Sequence, residues 1–279
     1  MEIPFIKIDN AGNDYIYVRK ESVSRLRKGL NMLARRISDR NKGVGSDGLI
    51  VVDIMDSSSA GIRVFNRDGS EAKLCGNGLR GTILFIRKTT KGRKRHYKIT
   101  TGWGEYDLDL IKSGSDNIES GVFLGQPSFA ADDIGYLGDE KNCMGISLTS
   151  GGRKRTLYCI AMPNPHAVIF VDNLDFSWQK EGMEIEKKPV FKDGINVMFA
   201  RVDSGRKVTV MPWERGSGAT LACGSGAAAV TVVSRMLGLT NKKIVVAMSG
   251  GNIKTRWEMG DGIYQTGPSR IAFTGLFQI

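Results

Sequence analysis

Residues 220–236, "TLACGSGAAAVTVVSRM", place a cysteine between small residues at the head of a helix-like run. Residues 73–88, "KLCGNGLRGTILFIRK", do the same. One device therefore occurs twice, as Cys75-Gly76-Asn77-Gly78 and as Cys223-Gly224-Ser225-Gly226. The flanking sequence repeats with it. Asn66 and Glu214 each stand nine residues before their cysteine; Asn13 stands 62 before Cys75 and Asn164 stands 59 before Cys223. These coincidences predict a duplicated strand–loop–cysteine–helix unit, divided near residue 120. The repeat predicts two pseudo-symmetric halves, each built of strands and a helix. Two like halves facing each other would create a cleft, a common position for a ligand.

Working outward, residues 4–18 alternate and then turn β-rich, which predicts strand, turn, strand with the turn at "NAGND". Apolar Val23, Leu26, Leu30, Leu33 and Ile37 fall at helical spacing, which predicts one helix over 22–40 with Ser22 or Ser24 as N-cap. A second helix is predicted over 76–88 and a third over 224–238. Residues 152–171 predict two strands broken at "MPNPH".

At 279 residues, with 41% hydrophobic and 25% charged residues, the chain can bury a sizeable core as one large or two smaller domains. The net charge of +11 raises the question of nucleic acid, but the densest basic run, residues 87–98, carries one aromatic and no nucleic-acid fold signature. It reads as a solvated loop between a helix and a strand. No nucleic acid or membrane partner is expected. The start lacks a secretory pattern, and the longest span candidate, near 222–239, contains Arg235. The four cysteines show no C-x-x-C spacing, so no metal site is expected. A cytoplasmic location with reduced thiols is the default.

A helix N-terminus carries unpaired N–H groups and partial positive charge, which lower a thiol's pKa and suit a carboxylate. Two such cysteines can flank one carbon. One, as thiolate, removes a proton; the other, as thiol, donates one to the opposite face, and the centre inverts. This chemistry needs no cofactor. Cys143 and Cys159 read instead as small buried hydrophobes. "GVGSDG" lacks the ending of a phosphate-binding loop.

The segments "AGNDYIYV", "GVGSDGL", "FNRDGSEAKLCGNGLRG", "NPHAV", "INVMFA", "ERGSGATLACGSGAAA" and "TGPSRIAFTG" together resemble the diaminopimelate epimerase family, in its order and across the whole chain. The resemblance implies an α/β (α+β) fold of two pseudo-symmetric domains, each a mostly antiparallel sheet around a central helix: an N-terminal domain, 1–118, completed by a final strand, 266–279, and a C-terminal domain, 119–265. It implies a homodimer that converts LL-2,6-diaminopimelate to meso-diaminopimelate without pyridoxal phosphate, in lysine and peptidoglycan precursor biosynthesis. It makes Cys75 and Cys223 the two bases. Gly76, Asn77, Gly224 and Ser225 would bind the reacting carboxylate through their amides. Asn13, Ser46, Asn66, Asn164, Asn196, Glu214 and Arg215 would hold the rest of the substrate, and His166 would orient groups around the catalytic pair. Arginine offers a carboxylate two parallel donors, and amide oxygens accept from an ammonium. Taken singly, Asn13, Asn66 and Asn164 also suit turns, and Glu214 and Arg215 also suit an exposed loop. Ser46, Tyr15, Pro163 and Ser225 depart from the commoner family pattern. A racemase of proline or histidine on the same scaffold is the other enzymatic reading. Asn77, where the proline type usually carries histidine, speaks against it. A binding module would not need both thiols.

Overall fold

Two consecutive residues with positive φ, Ala11 (59°) and Gly12 (90°), fold the start of the chain back on itself. A two-residue hairpin turn of this hand needs positive φ at both positions. The turn joins β1 (Glu2–Asn10) to β2 (Asn13–Arg19). The computed structural model describes residues 2–26, 29–72, 76–139, 143–162 and 164–279. The chain divides into two compact units, Met1–Phe123 with Thr266–Ile279, and Leu124–Gln265.

In the first unit β2 is followed by α1 (Lys20–Val23) and α2 (Leu30–Ser38), then β3 (Gly48–Ile54), β4 (Ser59–Asn66) and the short β5 (Glu71–Ala72). α3 (Gly76–Thr90), β6 (His96–Thr101), β7 (Gly104–Ser113) and β8 (Asn117–Phe123) complete it. β1 and β2 are antiparallel, β2 and β3 parallel, β3 and β4 antiparallel, β4 and β6 parallel. β6–β7 and β7–β8 are antiparallel. The last strand of the chain, Tyr264–Gln278, pairs with both β1 and β8, so the strands close into a ring.

α3 is buried on every face from Asn77 to Ile86. A helix buried all round lies inside its sheet, and α3 touches β1, β2, β3, β6 and β8. Such close approach requires small residues. A Cβ at Gly81 would lie 2.2 Å from the Tyr17 hydroxyl. The outer face of β1–β4 packs on α1 and α2 through Ile16, Val18, Leu33, Ile37, Leu49 and Phe65. With both faces covered, β2 and β3 read as the near-continuous apolar runs that such strands show.

The single helix expected over 22–40 is two helices, and neither carries a side-chain cap; the N-caps are Arg19 and Gly29. Glycine is a poor helix residue. The bend between α1 and α2 lets Val23 and Leu26 join Leu30, Leu33 and Ile37 in one core.

The second unit runs α4 (Ala131–Ile134), β9 (Met144–Ser150), β10 (Arg153–Met162), β11 (Asn164–Phe170), α5 (Trp178–Glu186), β12 (Asn196–Ser204) and β13 (Lys207–Glu214). β14 (Gly218–Ala219), α6 (Gly224–Met236), β15 (Lys243–Met248) and β16 (Gly251–Arg256) follow, and then β17, the Tyr264–Gln278 strand. Its pairings repeat those of the first unit. β10–β11 and β12–β13 are antiparallel, β11–β12 and β13–β15 parallel, β15–β16 antiparallel. α6 is buried from Gly226 to Ser234 and touches β10, β11, β12, β15 and β16. The nine-residue offset now has a structural meaning. Asn66 and Glu214 are the last residues of equivalent strands, β4 and β13, and the same short strand and turn lead from each to the central helix. Asn13 and Asn164 open the equivalent strands β2 and β11.

Three further differences from the sequence reading concern boundaries. The division falls after Phe123, not after residue 118, because β8 pairs along β7 and belongs to the first ring. The basic run 87–98 is mostly regular structure; only residues 91–95 lie between α3 and β6, and Tyr97 is buried. α6 ends at Met236, where Leu237 caps it and Gly238 turns the chain with φ of 72°. Among the described residues no helix is long and apolar enough to cross a membrane.

Candidate active site

Cys223 is the N-cap of α6, with extended φ and ψ of −130° and 112°. Its Sγ accepts a hydrogen bond from the Gly226 N–H at 3.3 Å and lies 3.6 Å from the Ser225 hydroxyl. Its own N–H donates to Met248 Sδ at 3.2 Å. Met198 presses against the same turn, where a Cβ at Gly226 would lie 2.4 Å from its sulfur. The Gln265 side-chain amide donates to the Gly224 carbonyl at 2.7 Å and fixes the first helical turn.

The sequence predicts a thiol of lowered pKa at this position, and the structure reverses that. Burial pushes the Cys223 thiol well above its ordinary value, and the Glu214 carboxylate pushes it further. The hydrogen bonds from Ser225 and Gly226 act the other way and do not compensate. Cys223 in this environment is therefore a protonated thiol, the form that donates a proton. Glu214 also accepts from the Thr220 hydroxyl at 2.6 Å, so its charge is held in place. Removing that charge lowers the cost of a neighbouring thiolate. Glu214→Gln, in a Cys75→Ala background, is expected to shift the Cys223 titration to lower pH. The ultraviolet absorbance of the thiolate against pH reads this, and an unchanged or higher midpoint would refute it.

The ends of β11, β12 and β13 carry the other candidates of this unit. Buried His166 lies with Nε2 3.1 Å from Asn164 Oδ1, so Nε2 carries the proton and donates. Burial, with the nearby charge of Arg215, pushes His166 down to about 3 and keeps it neutral. Asn196 donates to the Pro165 carbonyl at 2.7 Å and accepts from the Arg215 N–H at 3.0 Å, tying β11 to the end of β13. The exposed Arg215 guanidinium donates to the carbonyls of Asp193 and Gly194. Asn164, His166, Asn196, Glu214 and Arg215 thus form one cluster joined to the mouth of α6, and Glu214 and Arg215 are not idle loop charges.

In the first unit Cys75 lies outside the described residues. Gly76 and Asn77 open α3. Asn77 Nδ2 donates to Asn13 Oδ1 at 3.4 Å, so these two candidates meet. Asn13 begins a strand, and the left-handed turn belongs to Ala11 and Gly12. Asn66 donates to the Ser70 hydroxyl at 3.0 Å, within its own turn. Ser46 is fully buried, and its hydroxyl donates to the Gly48 carbonyl at 2.9 Å, so it faces inward in this arrangement. Cys143 and Cys159 are core residues of the second unit.

Sequence reasoning misses four side chains here: Gln265, Met248, Asp47 and Arg80. Only Arg80 leaves a signal, an arginine one turn after Asn77 inside the mostly apolar run 79–86.

A protein-family profile described as diaminopimelate epimerase matches residues 5–129 and 158–272. A protein of Carboxydothermus hydrogenoformans named diaminopimelate epimerase is 35% identical over 98% of each chain. One of the same name from Halothermothrix orenii is 34% identical over 100% of this chain and 99% of its own. Among solved structures, a hydroxyproline epimerase from Agrobacterium vitis with bound trans-4-hydroxy-L-proline superposes with a TM-score of 0.70. That match covers 99% of this chain and 92% of the other, at 13% identity, a likeness of fold.

Proposed function

We propose, since the chain belongs to the diaminopimelate epimerase family, that it inverts one α-carbon of LL-2,6-diaminopimelate to give the meso form, with Cys75 and Cys223 as the two bases. The observation that supports this most is Cys223 itself: a protonated thiol that caps a buried helix and takes the Gly226 N–H of its first turn. Its sequence counterpart, Cys75, immediately precedes the first turn of α3.

In this reading the thiolate of one cysteine removes the α-proton. The thiol of the other delivers a proton to the opposite face, and the two sulfurs end with exchanged protonation. The α-carboxylate sits on the amides of Gly76, Asn77, Gly224 and Ser225. There the helix N-termini stabilise the negative charge that grows beside it. Glu214 keeps Cys223 protonated until it is needed. Asn66, Asn164 and Asn196 serve the distal amino-acid end, and Arg215 its carboxylate. Neutral His166 holds Asn164 in place. The same family reading carries a homodimer, a cytoplasmic location and a place in lysine and peptidoglycan precursor synthesis.

Incubation with LL-diaminopimelate in deuterium oxide tests the proposal. The expected result is meso product with deuterium at the inverted α-carbon. Exchange into proline or histidine, with none into diaminopimelate, would reassign the substrate.

A further inference from the structure

Among the described residues the largest fully buried side chain is Arg80, in the interior of α3. β17 lies tight on its guanidinium: a Cβ at Gly267 would come within 2.9 Å of Nε. Arg80 Nη2 donates to Asn77 Oδ1 at 2.6 Å. Asn77 Nδ2 donates to Asn13 Oδ1 at 3.4 Å. Asn13 Nδ2 donates to Asp47 Oδ2 at 2.8 Å. Asp47 is anchored in turn, accepting from Arg40 at 2.9 Å and from the Asp14 N–H at 3.1 Å.

This row of hydrogen bonds has a direction that cannot be reversed. A guanidinium only donates and a carboxylate only accepts. With the cation at one end and the anion at the other, both carboxamides between them have one permitted orientation. An asparagine alone would flip at little cost, since its oxygen and nitrogen ends have nearly the same shape. Here a flip would set an N–H against Arg80, or an oxygen against Asp47, and would break charge-assisted bonds, the stronger class. Each bond polarises the next in the same sense. Both amide oxygens point into the row, and what the two asparagines can turn towards a ligand is N–H.

We propose that Arg80 and Asp47 are positioning residues that lock Asn77 and Asn13 in the orientation presenting N–H donors to the carboxylate of the bound amino acid. This rests on the reading that Asn13 and Asn77 hold substrate; neither Arg80 nor Asp47 is given contact with it. The row makes the start of α3 selective for an anionic group over an ammonium, which would need the oxygens.

Either end alone fixes the row: Arg80 still donates to Asn77 when Asp47 is changed, and Asp47 still accepts from Asn13 when Arg80 is changed. Asp47→Asn, isosteric at a partly buried position, is therefore combined with Arg80→Met, and only the pair frees both carboxamides to flip. The expected result for this double variant is a KM for LL-diaminopimelate raised about 10- to 100-fold, with kcat within about threefold of the parent. Asp47→Asn alone is expected to change KM far less, and Asp47→Asn with Arg80→Lys, which keeps the cation and a donor, to recover most of the loss. Alongside, the nitrogen-labelled side-chain NH2 signals of Asn13 and Asn77, assigned by their loss in Asn13→Ser and Asn77→Ser, are expected to shift and broaden in the double variant. Unchanged signals there would overturn the lock, and a double-variant KM within twofold of the parent would overturn its role in binding. Absence of α-proton exchange in the parent protein would sink the proposed reaction instead, and the NH2 signals would still judge the lock.

Discussion

Cys223→Ala is expected to lower kcat for inversion of LL-diaminopimelate about 1,000-fold or more, the range that one positioned acid or base supplies. The side chain is small and lies at the head of the helix, so a methyl group leaves the fold standing. Burial and the Glu214 carboxylate hold the thiol protonated. Among the described residues no neighbouring side chain replaces that proton source. The Ser225 hydroxyl, 3.6 Å from the sulfur, is too weak an acid, and His166 is held neutral. Cys75→Ala is expected to be as damaging, because inversion needs a group on each face of the carbon. Any exchange of the α-proton that survives in a single variant should be confined to one isomer, the one whose proton faces the remaining sulfur. Mass spectrometry of deuterium uptake, begun from each isomer separately, measures this. Substantial inversion by either variant would defeat the two-base scheme.

The second large effect is expected at Arg215. Arg215→Met should raise KM for diaminopimelate about 10- to 100-fold, the range set by a hydrogen-bonded charge pair, with a smaller change in kcat. The backbone of Arg215 is fixed by Asn196 at 3.0 Å, and its guanidinium leans on the carbonyls of Asp193 and Gly194. The side chain is thus held in place yet exposed, as suits a group waiting for a carboxylate. Glu214, its neighbour, faces the sulfur instead. The substitution should therefore spare the Cys223 titration while weakening binding. A KM unchanged in Arg215→Met would remove the distal carboxylate from this residue.

Much of this was legible because duplication leaves marks in one dimension. The nine-residue step from Asn66 to Cys75, and from Glu214 to Cys223, is the length of a turn and short strand between a strand end and a helix. Local spacing preserves it. The protonation of Cys223 was not legible. The helix mouth is local and argued for a thiolate, while burial and the Glu214 carboxylate are products of tertiary packing and won. The break between α1 and α2 was hidden for a related reason. Val23, Leu26, Leu30, Leu33 and Ile37 keep a helical period that two short helices satisfy as well as one. The row from Arg80 to Asp47 joins residues 3, 64 and 34 positions apart, and periodicity carries no such information.

The path of β17 bears on the order in which the molecule can assemble. Its first residues, Tyr264 and Gln265, accompany the second unit, and its remainder lies along β1, where Glu2 pairs with Gln278. The second unit is one uninterrupted segment. The first unit must keep the edges of β1 and β8 open until the residues from 266 onward have been made. Unpaired strand edges are the usual seeds of aggregation during synthesis. Chains cut short before residue 266 should therefore retain a competent second half and fail in the first. The strand that completes the first unit is thus made after the whole of the second.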